Sequence, residues 1–268
     1  MAMTSITDRD GVLVTSARAA LENDEDFATF KQLPGIKRAI ERLPPARGAE
    51  YRAIVLRQTP GLLDHLDRFK ENDTSGSPTT APFPEGMMSP TTWRYIKVLS
   101  DLQMLFGRLD GCHVAEIGAG YGGQCKIISD LYDVASYTIY DLEPVSRLAE
   151  KYLCYAASPA AAKLRLADFR RLDQDPPETF DLVISNWALS ECTKEIQDVY
   201  IRHVLRRSKR GYITYNQISH LQGVESYRKR EFIDVLHFPT ELMPEGLTGI
   251  PEDLENFILH WSSQPFLS

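Results

Sequence analysis

Apolar positions recur at helical spacing along the first hundred residues. Residues 15–30 and 51–70 each carry such a stripe, the second through Ile54, Val55, Leu62, Leu63, Leu66 and Phe69. Both are predicted as helices joined by Pro-containing turns. Residues 71–92 (ENDTSGSPTTAPFPEGMMSPTT) interrupt the pattern with Ser, Thr, Pro and Gly. That composition suits a linker, and the apolar Phe83, Met87 and Met88 point to a lid that folds over something. Ser89-Pro90 reads as a helix start with proline in the first turn. Trp93, Ile96, Val98, Leu99, Leu102, Leu105 and Phe106 then continue that helix to Gly107.

From Cys112 the period changes. Short apolar or alternating runs at 113–118, 136–142, 163–169, 180–186 and 211–216 are separated by helical stretches at 123–131, 145–157 and 195–208. Strands spaced by helices of this length need crossover connections, which predicts βαβ units, a mostly parallel sheet and helices on both faces. Beyond Leu221 one more helix and a final strand at 256–261 are expected. The predicted organisation is an amino-terminal helical cap with its lid loop over residues 1–107 and an α/β domain over 108–268.

Composition narrows the function. The 268 residues are 43% hydrophobic and 25% charged, enough apolar sequence for a core and too much for disorder. Thirty Lys and Arg against thirty-seven Asp and Glu give a formal charge of -7, which argues against nucleic acid as the main partner. No window approaches eighteen uninterrupted apolar residues, so no membrane-spanning helix is expected. The polar start MAMTSITDRD lacks the apolar segment of a secretion signal, and a soluble, cytoplasmic protein is the expectation. Cys112, Cys125, Cys154 and Cys192 show no metal-ligand spacing and read as buried, reduced thiols. No metal site is predicted.

The informative segment is 114–123, VAEIGAGYGG. A glycine turn between strand and helix lets backbone approach a ligand that any Cβ would push away, and Gly118, Gly120 and Gly123 satisfy the G-x-G-x-x-G spacing of dinucleotide sites. The neighbouring acids favour S-adenosylmethionine over a nicotinamide. Glu116, two residues before the first glycine, suits a cationic amino-acid end and would sit badly beside pyrophosphate. Asp141 closes the second strand, where a carboxylate can accept both ribose hydroxyls. Asp168 closes the third, where it can accept from an adenine amino group while Phe169 covers the ring. Ligands of open α/β sheets bind at those carboxyl edges. The expected cofactor shell is Glu116, Gly118, Ala119, Gly120, Gly122, Asp141, Leu142, Asp168, Phe169 and Asn186. A solvated helix cap is the competing role for Asp141 and Asp168.

With these residues the chain resembles a class I S-adenosylmethionine-dependent methyltransferase. More narrowly it resembles the sugar O-methyltransferases of antibiotic and surface-glycan pathways, through segments 89–95 (SPTTWRY), 114–123, 185–191 (SNWALSE) and 211–216 (GYITYN). These spread over about half the chain. Pro244-Glu245, Thr248 and Asn256 are similar to the family's closing motif, with a longer gap between Thr248 and Asn256. The resemblance implies a Rossmann-like fold and methyl transfer to a hydroxyl of a sugar or glycosylated metabolite, with S-adenosylhomocysteine as product. Another small-molecule acceptor (a polyketide hydroxyl or an amine) and a non-catalytic cofactor-binding protein are the alternatives. A small-molecule partner is expected, without nucleic acid or membrane; a homo-oligomer is compatible.

Alcohol methylation calls for a positioned base. Glu191, five residues after the fourth strand, and His220, four after the fifth, are the candidates. Glu191 could instead balance a helix dipole, and His220 could be a surface histidine. His203, beside Arg202, Arg206 and Arg207, and His237 are weaker candidates. Trp187 suits a sugar face, and Tyr95 with Arg94 would line the acceptor pocket from the helical side, their competing roles being packing and surface charge. The cluster Arg202, Arg206, Arg207, Lys209 and Arg210 reads as an exposed basic helix end.

Overall fold

The computed structural model describes residues 11–174, 178–247 and 256–262. Caps and prolines cut the amino-terminal stripes into shorter pieces than their periodicity alone predicts. Helix α1 (Val12–Glu22) ends where the Asn23 side chain accepts hydrogen bonds from the amides of Glu25 and Asp26, at 2.8 and 3.4 Å, and so starts α2 (Asp24–Ala28). Helix α3 (Pro34–Ala39) precedes α4 (Pro45–Gln58). Pro60 disfavours helical geometry at Thr59, so the predicted 51–70 helix becomes α4, a 3-10 turn (Pro60–His65) and α5 (Leu66–Lys70).

The segment 71–92 is a braced corner. It forms a small antiparallel hairpin of β1 (Ala81–Phe83) and β2 (Gly86–Met88). Arg52 grips Glu85 at 2.7 Å. Buried Lys31 donates to the Asn72 carbonyl. Asp73 accepts from the Ser89 amide (2.7 Å) and the Thr92 hydroxyl (2.6 Å). These bonds tie the loop to the amino-terminal helical region and to the start of α6, so polar side chains that made it look like a linker find partners in the fold.

Helix α6 (Pro90–Phe106) begins as expected, with the Ser89 hydroxyl accepting from the Thr91 amide at 3.1 Å. The α/β alternation follows: β3 (His113–Ile117), α7 (Gly123–Leu131), β4 (Ser136–Tyr140), α8 (Glu143–Tyr155), β5 (Leu164–Ala167), β6 (Leu182–Asn186), α9 (Lys194–His203) and β7 (Arg210–Tyr215). Helices α10 (Ile218–Leu221) and α11 (Lys229–Leu236) lead to β8 (Glu241–Pro244) and β9 (Phe257–Ser262). The seven-stranded sheet runs β5-β4-β3-β6-β7-β9-β8. The first five strands are parallel, and β9 is antiparallel to both β7 and β8. Strand β8 lacks a clear signal of its own because it is a short edge strand.

Alternate residues of each strand face opposite layers. Val114, Tyr137, Ile139, Leu182, Ile184, Tyr212 and Ile258 join one cluster with α6, α7, α8 and the amino-terminal helices. Ala115, Tyr140, Val183, Ile213, Tyr215 and Trp261 join the other with α9 and α11. The cap and the sheet therefore share a core. Buried polar ties reinforce the joint: the Tyr121 hydroxyl donates to Glu41 at 2.7 Å, and the Tyr152 hydroxyl to Asn72 at 2.6 Å.

The expected set of four buried thiols is corrected in part. Cys112 and Cys125 are buried, Cys192 is half-buried and Cys154 is exposed, on the solvent side of α8. Among the described residues no helix is long and apolar enough to cross a membrane.

Lys97 of α6 meets Asp101 at 2.7 Å with both side chains buried, and the Tyr212 hydroxyl donates to the same Asp101 oxygen at 2.6 Å. Lys97→Met would strand a buried carboxylate, at an expected cost of about 3–5 kcal/mol. The Lys97→Met/Asp101→Leu pair should recover much of that loss in urea unfolding, since it removes both charges.

Candidate functional site

The sheet order reverses direction between β3 and β6, and in open α/β sheets the ligand crevice lies beyond the carboxyl ends of the strands at that point. A crevice opens there. Glu116, Ile117, Gly118, Ala119 and Gly120 form its wall at β3; Tyr140, Asp141 and Leu142 at β4; and Asn186, Trp187 and Ala188 at β6. Tyr95, Phe169 and Glu191 also line it.

The turn after β3 needs its glycines. Gly118 has φ +75, and a Cβ there would stand 1.9 Å from the Ala188 Cβ. Gly120 has φ +57 and lies under Ile40, whose Cδ1 would be 2.6 Å from an added Cβ. The turn is held in shape by Asp141. One carboxylate oxygen accepts the Gly120 amide at 2.9 Å, and the other accepts the Leu142 amide at 2.7 Å. A carboxylate offers about four acceptor positions, so each oxygen keeps one toward the crevice. Burial pushes the Asp141 carboxyl up to about 6, against the pull of those two amides.

Glu116 is buried at the crevice floor and accepts the Tyr137 hydroxyl at 2.7 Å. Burial raises its carboxyl to about 7, the Tyr137 bond opposing and the Asp141 charge adding to the rise. Glu191 sits in the 3-10 turn Leu189–Glu191. Burial raises its carboxyl too, while Arg42 and a bond with Asn216 favour the charged form. Trp187 holds a left-handed backbone (φ +67), unusual for a bulky residue, and its amide donates to the Thr214 carbonyl at 2.9 Å. The resulting bend directs the chain from β6 across the mouth of the crevice. Such strained positions concentrate at functional sites.

Two expected site residues lie elsewhere. Gly122 (φ +85) is the N-cap of α7 and faces Leu153 and Ala149 of α8, so it serves packing. Asp168 caps the 3-10 turn Phe169–Arg171, accepting the Arg170 amide at 2.9 Å and pairing with Arg170 Nε at 2.9 Å. Its carboxylate is held below the usual range by Arg170 and lines a different surface hollow. The competing cap role is the one seen. His220 lies in α10, and its side chain is outside the described residues. Thr248 also lies outside the described residues.

The weaker candidates have ordinary partners. His203 Nε2 contacts Asp173 at 2.7 Å, Lys209 pairs with Asp181 at 2.8 Å, and Arg206 donates to the Val235 carbonyl at 2.8 Å. Glu245 of the closing motif accepts the Tyr51 hydroxyl at 2.8 Å and the Asn256 amide at 2.6 Å, which pins the carboxyl-terminal strands to α4. Among the described residues no cluster of His, Cys, Asp and Glu could hold a metal.

The cap supplies lining that sequence reasoning missed: Leu13, Ala39, Ile40 and Arg42 roof the crevice. These residues carry no chemical motif, and only the folded chain brings them against a turn some eighty residues away.

No family model matches the chain, and no curated protein matches it. Solved structures do. One is a candidate sarcosine dimethylglycine methyltransferase from Galdieria sulphuraria, with TM-score 0.50 and 14% identity over 65% of this chain and 86% of that one. The fold is that of the class I methyltransferases. The N-methyltransferase NodS of Bradyrhizobium japonicum WM9, solved with S-adenosylhomocysteine, is similar at TM-score 0.47 and 14% identity over 63% and 85% of the two chains. The magnesium protoporphyrin IX methyltransferase of Synechocystis PCC 6803, also with that ligand, is similar at TM-score 0.45 and 13% identity over 76% and 95%.

Two outcomes are expected of the free protein. Gly118→Ala should lower the melting temperature, because its methyl meets Ala188 and its φ is strained for alanine. Glu116→Gln should stabilise the fold at pH 8 relative to pH 5. A carboxyl raised to about 7 makes the wild type lose stability as pH climbs from the unfolded value through 7, on the order of 3 kcal/mol in full. Thermal melts across pH measure both.

Proposed function

We propose that the protein is an S-adenosylmethionine-dependent methyltransferase acting on a hydroxyl of a sugar or glycosylated small molecule. The observation that carries the reading is the acid-lined crevice over the glycine turn. Glu116 and Asp141 meet there with no basic residue on the turn itself. Such a site repels a pyrophosphate and complements a ligand carrying an ammonium and a sulfonium. The free acceptor positions on the two Asp141 oxygens suit the paired hydroxyls of a ribose, and Phe169 on the lining supplies an aromatic face for a base.

When bound, the cofactor supplies a methyl group already activated on sulfur. The protein's part is alignment, exclusion of water and proton removal. Glu116 faces the ammonium, and Gly118 and Gly120 allow close backbone approach. Trp187 and Tyr95 offer apolar faces of the kind a sugar ring packs against. Glu191, on the crevice wall, takes the hydroxyl proton: Arg42 and Asn216 favour its charged form, and burial keeps it basic enough to accept. The segments SNWALSE and GYITYN, which carry the resemblance to sugar O-methyltransferases, form the β6 and β7 ends beside this wall.

Calorimetry with S-adenosylhomocysteine tests the cofactor reading. Affinity should weaken as pH falls through about 6, because protonating Asp141 removes the acceptor that the ribose needs. Asp141→Asn should remove the part of that dependence centred near 6, leaving the part that Glu116 contributes near 7, while weakening binding at pH 8. Glu191→Gln should lower kcat about 10²–10⁴-fold with little change in S-adenosylhomocysteine affinity. Wild-type turnover in that variant, followed by product mass over a panel of glycosides, would remove Glu191 from the role of base.

A further inference from the structure

Arg94 is out of place in an ordinary core. It is on the first turns of α6, only 8% exposed, and it lines the crevice. No carboxylate among the described residues stands within ion-pair distance of it. Its guanidinium lies instead between aromatic rings, 5.0 Å from the Tyr95 centroid and 4.8 Å from that of Trp187. Its Nε–H has no hydrogen-bond partner. The acids that act on it from nearby are already engaged: Glu41 accepts Tyr121 and Ser89, and Glu116 accepts Tyr137.

The ring stacked on Arg94 is itself unsatisfied. Trp187 Nε1–H is buried without a partner, on a residue whose left-handed backbone carries it across the crevice mouth. A buried guanidinium and a buried indole N–H, both lacking acceptors and both on the lining of one crevice, are costly unless something there accepts from them.

We infer that Arg94 and Trp187 form a seat for a carboxylate in the crevice. The planar two-oxygen group matches the donor fork of a guanidinium. A phosphate dianion fits less well, because Glu116, Asp141 and Glu191 share the same crevice. The inference rests on the methyltransferase reading for the source of the carboxylate, which is either the amino-acid end of the cofactor or an acidic group on the acceptor. It explains why a guanidinium is buried on the lining beside three acids, where the other arginine, Arg42, is exposed.

Calorimetry on the full chain separates the two sources. The ligands are S-adenosylhomocysteine, its decarboxylated analogue that keeps the ammonium, and sodium glucuronate beside glucose. If the seat holds the cofactor, Arg94→Met weakens S-adenosylhomocysteine roughly tenfold or more and leaves the decarboxylated analogue unchanged. If it holds the acceptor, S-adenosylhomocysteine binds the variant as it binds wild type. The loaded wild type then takes glucuronate in preference to glucose, and Arg94→Met abolishes that preference. Trp187→Phe keeps the ring beneath the guanidinium and removes only the donor, so it should show the same pattern at smaller size. Arg94→Lys, which keeps the charge and loses the fork, should fall between wild type and Arg94→Met and serves if the Met variant does not fold.

Equal binding of all these ligands to wild type, Arg94→Met and Trp187→Phe would overturn the inference. Failure of the cofactor reading looks different: neither S-adenosylhomocysteine nor its analogue would bind the wild type. The glucuronate comparison, made without them, would then still read the seat, and no discrimination between wild type and Arg94→Met would overturn it.

Discussion

A buried carboxylate bracing a glycine turn is the interaction on which the rest of the site depends. Asp141 leaves β4 and accepts one amide from its own strand end and one from the turn after β3. The bond to Gly120 closes the gap between two parallel strands at the place where their ladder stops. Without it, a turn with left-handed glycines at three alternate positions, Gly118, Gly120 and Gly122, would have little to hold one shape, since glycine carries the largest conformational freedom to lose. The same burial that makes the brace effective also raises the carboxyl toward neutral pH.

The cap is joined to that turn by polar bonds and by packing. Tyr121, within the turn, donates to Glu41, and Ile40 next to it covers Gly120. Ser89, the N-cap of α6, donates to the same glutamate at 3.2 Å. One buried acid therefore connects the roof of the crevice, the helix that presents Arg94 and Tyr95, and the glycine turn. The hairpin corner at 81–88 contributes by fixing the approach to α6, which sets where those two side chains enter.

Likeness of fold at these identities says how the chain is built and leaves its chemistry to particular side chains. The crevice combines three acids, two arginines and five aromatic residues. Most of its walls come from strand ends, which rigid hydrogen bonding holds in register, and the roof comes from the cap. That division suits a site in which one reactant must be held in a fixed orientation and another admitted.

The sequence by itself determined the parallel sheet, the succession of its first five strands along the chain and the position of the glycine turn, because each follows from local periodicity or from a backbone conformation that only glycine accepts easily. Glu116, Asp141, Phe169, Asn186, Trp187 and Glu191 were legible as crevice residues for the same reason: each lies at or just beyond the carboxyl end of a strand that the pattern locates. Tertiary structure alone decided the rest. A carboxylate after a strand can pair locally or brace a neighbouring loop, and Asp168 and Asp141 divide between those roles according to whether Arg170 or the glycine turn supplies the donor. The loop at 71–92 looked free because its polar side chains have partners distant in the chain. Arg94 looked like surface charge because helical spacing does not show that its face is covered. Packing between segments far apart in sequence sets burial, and burial is what turns these ordinary residues into a site.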